Sequence, residues 1–335
     1  NGVIASSAGN HAQGVALGAK MTGINATIVM PATAPLAKVT ATKGYGAEVV
    51  LNGLVYDDAY AKAVEIQKET GATFLHPFND KYVIAGQGTI GLEILEQLDG
   101  KVDTILCPIG GGGIIAGIAV AAKGINPNIK IVGVQTANIP SMQESMKNGE
   151  VTTAFKSTTI ADGIAVKTPG DVTFEIINEL VDEVVVVEED EIAQGMLFLM
   201  ENQKVVAEGA GAVTTAALLS GKYVPKKDEN VVCVISGGNV DVNTLYRVIG
   251  TALTKEARRY SFNTVIQDKP GGLAELTKII SEYDANILSA NLSRSSMGGA
   301  LGSLTAEMVL ETFNHDHIDK LKVAITEAGF EIVEI

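Results

Sequence analysis

Four consecutive glycines, Gly110 to Gly113, stand between an apolar strand-like run, Thr104 to Ile109, and a helix-like run, Ile114 to Lys123. A plain strand-to-helix turn needs one or two glycines. Four leave a stretch of bare backbone whose N–H groups can point inward, backed by the positive end of a helix dipole. That is a phosphate cradle built from main chain rather than from cations. No Gly-Lys-Ser/Thr follows, so it is not a Walker loop. It is a poor dinucleotide fingerprint too, because the next strand-like run ends in Gln135 where an acidic residue is required.

The cradle sits in an alternating chain. Gly2 to Ala5 reads as a strand, His11 to Met21 as a helix, Ala26 to Met30 as a strand, Pro35 to Tyr45 as a helix and Glu48 to Leu51 as a strand. Tyr56 to Thr70 reads as a helix with Ala59, Ala63 and Ile66 on one face. Helix Gly86 to Leu98 precedes the cradle. Strands Lys130 to Gln135, Val184 to Val187 and Val231 to Ile235 follow it, interleaved with helices Glu189 to Asn202 and Gly209 to Ser220. This order predicts an α/β architecture of parallel sheets covered on both faces.

Beyond Thr254 the texture changes, and three of the four arginines (Arg258, Arg259, Arg294) lie there. The runs become strand (260–266), a Lys269-Pro270-Gly271-Gly272 turn, helix (273–283), strand (287–294), a Gly298-Gly299 turn, strand (303–313), helix (316–328) and strand (330–335). That is a βαββαβ order with one segment short, a small α+β ferredoxin-like module.

Composition narrows the function. Apolar residues make up 46% and charged residues 19%, which excludes disorder. A net charge of −14 argues against nucleic acid or an anionic membrane as the main partner. No apolar stretch reaches the roughly 18 residues that a membrane span needs. The two cysteines, Cys107 and Cys233, each lie in an apolar run that feeds a glycine turn; they read as buried thiols in a reducing cytoplasm, with pairing as the alternative. Four scattered histidines provide no zinc spacing, so no metal is expected.

Two further motifs follow predicted strands, where ligands of open α/β sheets gather. In Ser7-Ala8-Gly9-Asn10-His11, Ser7 and the N–H groups of Gly9, Asn10 and His11 suit a carboxylate, and Asn10 offers an amide. The alternative is a simple helix cap, which Ser and Asn both favour. His11 reads as a packing or capping residue in preference to a base. In Ser236-Gly237-Gly238-Asn239, Ser236 presents a hydroxyl that donates or accepts.

Together with Ala-Gly-Gln-Gly-Thr-Ile-Gly-Leu-Glu (85–93), Ile-Ala-Asp-Gly (160–163) and Ser-Gly-Gly-Asn-Val-Asp (236–241), these motifs resemble the threonine/serine dehydratases of the fold-type II, tryptophan-synthase-β-like pyridoxal-phosphate enzymes. The resemblance covers residues 1–250 and implies two open parallel-sheet domains, a small one at 1–78 and a large one at 79–250. Residues 258–335 resemble an ACT domain, a regulatory amino-acid-binding module. The resemblance implies that Gly110, Gly111, Gly112, Gly113 and Ile114 hold the cofactor phosphate, Asn10 meets the ring hydroxyl oxygen and Ser236 faces the pyridine nitrogen. Ser7, Gly9, Asn10, His11 and Gly163 would take the amino-acid substrate. With no Arg before Arg247, a backbone carboxylate site is favoured over a guanidinium clamp. Glu208 either borders the cofactor or is a helix-end carboxylate. Pro270, Gly271, Gly272, Leu273, Asn286 and Ile287 would form an effector site between subunits of a homodimer or homotetramer.

Two departures qualify this. The family's Schiff-base lysine lies in a Ser-Phe-Lys-x-Arg-Gly-Ala segment upstream of Ser-Ala-Gly-Asn, and no Lys here has Arg two residues later. The expectation is a truncated sequence whose catalytic lysine belongs to a missing N-terminal segment. Racemases of the group carry Ser where this chain has Ala8, which favours elimination, and their metal-binding carboxylate position reads Gln135. The expected reaction is α,β-elimination of L-threonine, and of L-serine, to a 2-oxo acid and ammonia. The rivals are a serine racemase or serine dehydratase, and a non-catalytic amino-acid sensor.

Overall fold

Ile4 and Ala5 are neighbours and both fully buried, as are Ile28 and Val29. Successive strand side chains point to opposite faces, so both faces of this sheet must be covered. The computed structural model, which describes residues 1–155, 158–294 and 302–335, shows that arrangement. The first sheet contains β1 (Val3–Ser6), β2 (Ala26–Met30), β3 (Glu48–Leu51) and β4 (Thr73–Phe74), all parallel, in the order β3-β2-β1-β4. Helices α1 (Asn10–Thr22) and α2 (Leu36–Gly44) cover the Ala5 and Ile28 face, where Ala12, Ala16 and Val39 are buried. Helix α3 (Tyr56–Thr70) covers the Ile4 and Val29 face through Ala59 and Ala63.

The second parallel sheet has the order β7-β6-β5-β8, with β5 (Thr104–Pro108), β6 (Lys130–Thr136), β7 (Glu183–Val187) and β8 (Val231–Cys233). Its helices are α4 (Lys81–Gln97), α5 (Gly113–Ile125), α6 (Ser141–Asn148), α7 (Asp171–Leu180), α8 (Glu189–Phe198) and α9 (Gly209–Leu219). A π-helical turn at Leu199–Gln203 replaces the expected end of α8. Helix α4 starts five residues earlier than periodicity predicts, because the Asp80 carboxylate accepts the N–H groups of Tyr82 and Val83 and caps it. The 85–93 motif lies in the middle of α4 and serves packing. A Cβ on Gly117 of α5 would fall 2.3 Å from the Ile84 carbonyl of α4, so the two backbones meet with no side chain between them. That contact seats α5, and with it the glycine run at its start. Cys107 and Cys233 are free thiols on adjacent strands, Cys107 fully buried and Cys233 half-buried. Burial pushes both thiols up, Cys233 to about 11.

These elements form one unit, Asn1–Val240, and Asp241–Ile335 forms a second. The second opens with α10 (Val242–Lys255), followed by β9 (Arg259–Gln267), α11 (Gly272–Glu282), β10 (Asn286–Ser293), β11 (Ser303–Glu311), α12 (His315–Glu327) and the two-residue β12 (Val333–Glu334). Its sheet is antiparallel, ordered β10-β11-β9-β12. Phe262, Ala306, Met308 and Leu310 are fully buried with Leu276, Ile280, Leu321 and Ile325 of the two helices. Strict alternation along β9 and β11 leaves the other face less buried. The Gly298-Gly299 turn lies outside the described residues. No helix among the described residues is long and apolar enough to cross a membrane.

Candidate active site

In the first sheet β1 lies between β2 and β4; in the second β5 lies between β6 and β8. In each sheet the chain fills one side of the central strand first and then crosses to the other, and such a switch point opens a crevice at the strand carboxyl ends. All three sequence motifs stand there, following β1, β5 and β8. They line one cavity of about 1530 Å³, to which Ser7, Gly9, Asn10, His11, Gly110, Gly111, Gly112, Gly113, Ile114, Gly163, Glu208 and Ser236 all contribute. Pro270, Gly271, Gly272, Leu273, Asn286 and Ile287 belong to the second unit, at the turn between β9 and α11 and the start of β10.

The glycine run is enclosed. Gly112 precedes α5 in the left-handed region, at φ 96°, where a Cβ would be strained. A Cβ there would also lie 2.7 Å from Cδ1 of Ile177, and one on Gly111 would lie 2.3 Å from the Phe78 ring. Among the described residues, the N–H groups of Gly110, Gly111 and Gly112 have no acceptor. Those of Gly113 and Ile114 belong to the first turn of α5, where no intrahelical acceptor exists. The Gly111 carbonyl, by contrast, is held: Thr173 Oγ1 donates to it at 2.6 Å from α7. The loop therefore lines the cavity with N–H groups that lack acceptors among the described residues, while its Gly111 carbonyl is tied to α7.

The second motif is not a side-chain cap. Gly9 occupies the cap position of α1 with no side-chain bond, and Ser7 Oγ accepts the Gly9 N–H at 3.2 Å. Asn10 Oδ1 accepts from Asn239 Nδ2 at 2.9 Å, which joins the second motif to the third and leaves the Asn10 amide nitrogen as a donor. His11 Nε2 meets the Leu75 carbonyl at 3.0 Å, so that nitrogen carries the proton and donates. Burial holds the His11 imidazole below its usual pKa, against the opposing pull of the Leu75 carbonyl.

Glu208 stands at a helix end and faces the cavity. It occupies the cap position of α9, yet its carboxylate makes no cap bond and lines the cavity. A Cβ on Gly237 would lie 2.4 Å from its Oε1, so the glycine of the third motif makes room for this acid. Burial raises the Glu208 pKa, Asp162 raises it further, and Lys38 opposes them.

Four contributors escaped the sequence reading. Ser6 is fully buried at the end of β1, lines the cavity, and its Oγ has no partner among the described residues. A Ser closing an apolar strand was the signal that could have found it. Thr173 was hidden because α7 was not foreseen, although Asp171 and the apolar Ile176, Ile177 and Leu180 were readable as a helix. His76 and Asn79 sit in a short connection with no periodicity to mark them. Gln135 is spent structurally: Nε2 donates to the Ile109 carbonyl at 3.4 Å and Oε1 accepts the Gln143 N–H at 2.9 Å.

Comparison with known proteins agrees with this geometry. Residues 1–237 match the family model described as pyridoxal-phosphate dependent enzyme. L-threonine ammonia-lyase of Thermotoga maritima is 50% identical over 331 residues, 99% of this chain and 82% of that protein. The processed form of threonine deaminase isoform 2 from Solanum lycopersicum superposes with a TM-score of 0.71 at 40% identity, covering 75% of this chain and 73% of that one. Maize serine racemase does so with a TM-score of 0.69 at 39% identity, covering 76% and 78%. The cofactor of this family is pyridoxal phosphate, and the residues present fit it. Bare N–H groups on a loop with no room for a Cβ suit the phosphate, and the buried Ser6 hydroxyl in the same cavity, without a partner among the described residues, suits a polar ligand. On fold, cavity and sequence together, the chain belongs to the family of pyridoxal-phosphate dependent enzymes.

Proposed function

We propose that the full-length protein eliminates water across the Cα–Cβ bond of L-threonine, releasing an enamine whose hydrolysis takes up a water and yields 2-oxobutanoate and ammonia, and that it acts on L-serine in the same way to give pyruvate and ammonia. The observation that carries this reading is the convergence of three motifs, from β1, β5 and β8, on one cavity. The relatives named threonine ammonia-lyase and threonine deaminase support the substrate. When bound, pyridoxal phosphate supplies the electron sink that lets the α-proton and the β-hydroxyl depart. The N–H groups of Gly110 to Ile114 hold its phosphate. Asn10, its Oδ1 already engaged by Asn239, donates its amide N–H to the ring hydroxyl oxygen. Ser236 faces the pyridine nitrogen, where a hydroxyl, unlike a carboxylate, does not enforce ring protonation. Glu208 borders the ring. Ser7 with the N–H groups of Gly9, Asn10 and His11 takes the substrate carboxylate, and Gly163 flanks it. No Lys of these 335 residues has Arg two residues later, so the proposal assigns abstraction of the α-proton to a lysine outside them.

One observation favours a second reading, serine racemase: the likeness to the maize enzyme. Ala8, where racemases of the group carry Ser, weighs against it. Incubating the full-length protein with L-threonine and L-serine separates the readings. Elimination predicts 2-oxobutanoate and pyruvate with little D-serine. D-Serine without 2-oxo acid means a racemase. Binding without turnover means a sensor.

The proposal extends to regulation. Residues 258–335 act as an ACT domain attached to catalytic domains at 1–78 and 79–250, in a cytoplasmic homodimer or homotetramer. An amino-acid effector binds at Pro270 to Leu273 and Asn286-Ile287. The βαββαβ order and antiparallel sheet of the second unit support this. Deleting residues 258–335 should abolish any amino-acid effect on rate; an unchanged response after deletion removes the regulatory claim.

A further inference from the structure

The connection between β4 and α4 touches the glycine loop without belonging to any of the three motifs. Its central group is His76. Nδ1 of its imidazole accepts two backbone N–H groups, from Phe78 at 3.3 Å and Asn79 at 2.9 Å. Its ring meets that of Phe78 edge to face, with centroids 4.7 Å apart. This fixes the two residues that follow Pro77. The Phe78 ring lies over Gly111, and its Cα and Cβ lie 3.0–3.1 Å from where a Cβ on Gly113 would stand. The Asn79 amide donates to Asp171 Oδ1 at 2.6 Å and accepts the Val172 N–H at 3.1 Å, gripping the start of α7. Two residues on, Thr173 holds the Gly111 carbonyl. The loop is thus clasped from two sides, by the Phe78 ring and by α7, and both sides are set by the turn that His76 Nδ1 closes.

We propose that His76 is a positioning residue for the phosphate loop: as an acceptor for the Phe78 and Asn79 N–H groups it holds Gly110 to Gly113 in the shape that receives the cofactor phosphate. This rests on the reading of that loop as the phosphate site. The imidazole acts only in the form with Nδ1 unprotonated. Burial, the neighbouring His11 and the opposing carboxylates of Asp80 and Asp171 leave its pKa below the ordinary value, which preserves that form.

The test compares pyridoxal 5′-phosphate with pyridoxal, which lacks the phosphate, as ligands of the full-length apoprotein. Binding is followed by absorbance and fluorescence for the parent, His76→Ala, His76→Asn and His76→Gln. Two N–H groups without an acceptor should weaken phosphate-ester binding by roughly 10- to 100-fold in His76→Ala. Pyridoxal binding should change less than threefold. His76→Asn, whose Oδ1 stands where Nδ1 stood, should restore most of the loss, whereas His76→Gln, one carbon longer, should not. If His76→Ala does not fold, the Asn-against-Gln contrast carries the same test. Equal weakening of both ligands, or an Asn variant as poor as Gln, overturns the positioning role. A parent protein that binds both ligands equally well overturns the phosphate-loop reading itself, and this proposal with it.

Discussion

The two ends of the second parallel sheet are built on opposite principles. At the amino ends of its strands one carboxylate is met by several donors. Glu229 Oε1 accepts from Thr104 Oγ1 and Tyr223 Oη, both at 2.5 Å, and Oε2 accepts the Lys226 N–H at 2.6 Å. Those donors hold the Glu229 carboxyl down at about 2. At the carboxyl ends three glycine N–H groups lack acceptors among the described residues, and burial raises the Glu208 pKa. The Ser6 hydroxyl at the end of β1, which lines the same cavity, has no partner among the described residues. The first end stabilises the fold. The second leaves those donors without protein partners, as binding sites that give up stability do.

Substitutions can break this contrast. The largest effect is expected at Gly111. A methyl group there meets the Phe78 ring at 2.3 Å, so Gly111→Ala should cost about 3 kcal/mol of stability and most of the cofactor affinity. Phe78→Ala added to it should recover part of the stability; a double-mutant cycle by denaturant unfolding measures the coupling.

At the other end, Glu229→Gln should cost about 2 kcal/mol, with cofactor affinity unchanged. Its pH dependence has a definite sign. The folded pKa of about 2 lies below the ordinary 4.5, so the stabilisation is complete above about pH 4.5 and is lost as the pH falls towards 2. The variant should therefore show a shallower acid limb when midpoints of urea unfolding are compared from pH 6 to pH 3.

A control comes from the second unit. Gly271 adopts φ 93° before α11, much as Gly112 does before α5, but nothing lies within 4 Å of a Cβ placed on it. Gly271→Ala should cost only the left-handed strain, about 1–2 kcal/mol, and leave cofactor titrations unchanged. The smallest effect is expected at Glu208. A raised folded pKa means that its ionised form opposes folding near neutrality, so Glu208→Gln should stabilise the apoprotein slightly at pH 7 while lowering turnover. Calorimetry and a 2-oxo acid assay on the same preparation check both halves.

Much of the architecture was legible because it is local. Strands Ala26–Met30 and Glu48–Leu51 and helix Tyr56–Thr70 match their predicted bounds, since β-branched runs and an Ala59, Ala63, Ile66 stripe carry their own periodicity. Boundaries moved where a side chain intervened, as Asp80 does for α4. Helices α6, α7 and α10 were missed, and with α7 went Thr173, whose partner Gly111 is 62 residues away. The 85–93 motif was legible as a motif but not as what it does, because helix-to-helix contact at Gly117 depends on a second segment.

The sequence alone marked most of the strands, the position of the glycine run after a buried strand, and the absence of any arginine before Arg247. These follow from composition and periodicity, properties of neighbouring residues. Tertiary structure decided which motifs share a cavity, that Asn10 reaches Asn239, that Phe78 closes over Gly111, and that Glu208 faces inward from a helix end. Those relations join residues far apart in the chain, and only the folding of two parallel sheets around one crevice brings them within contact distance.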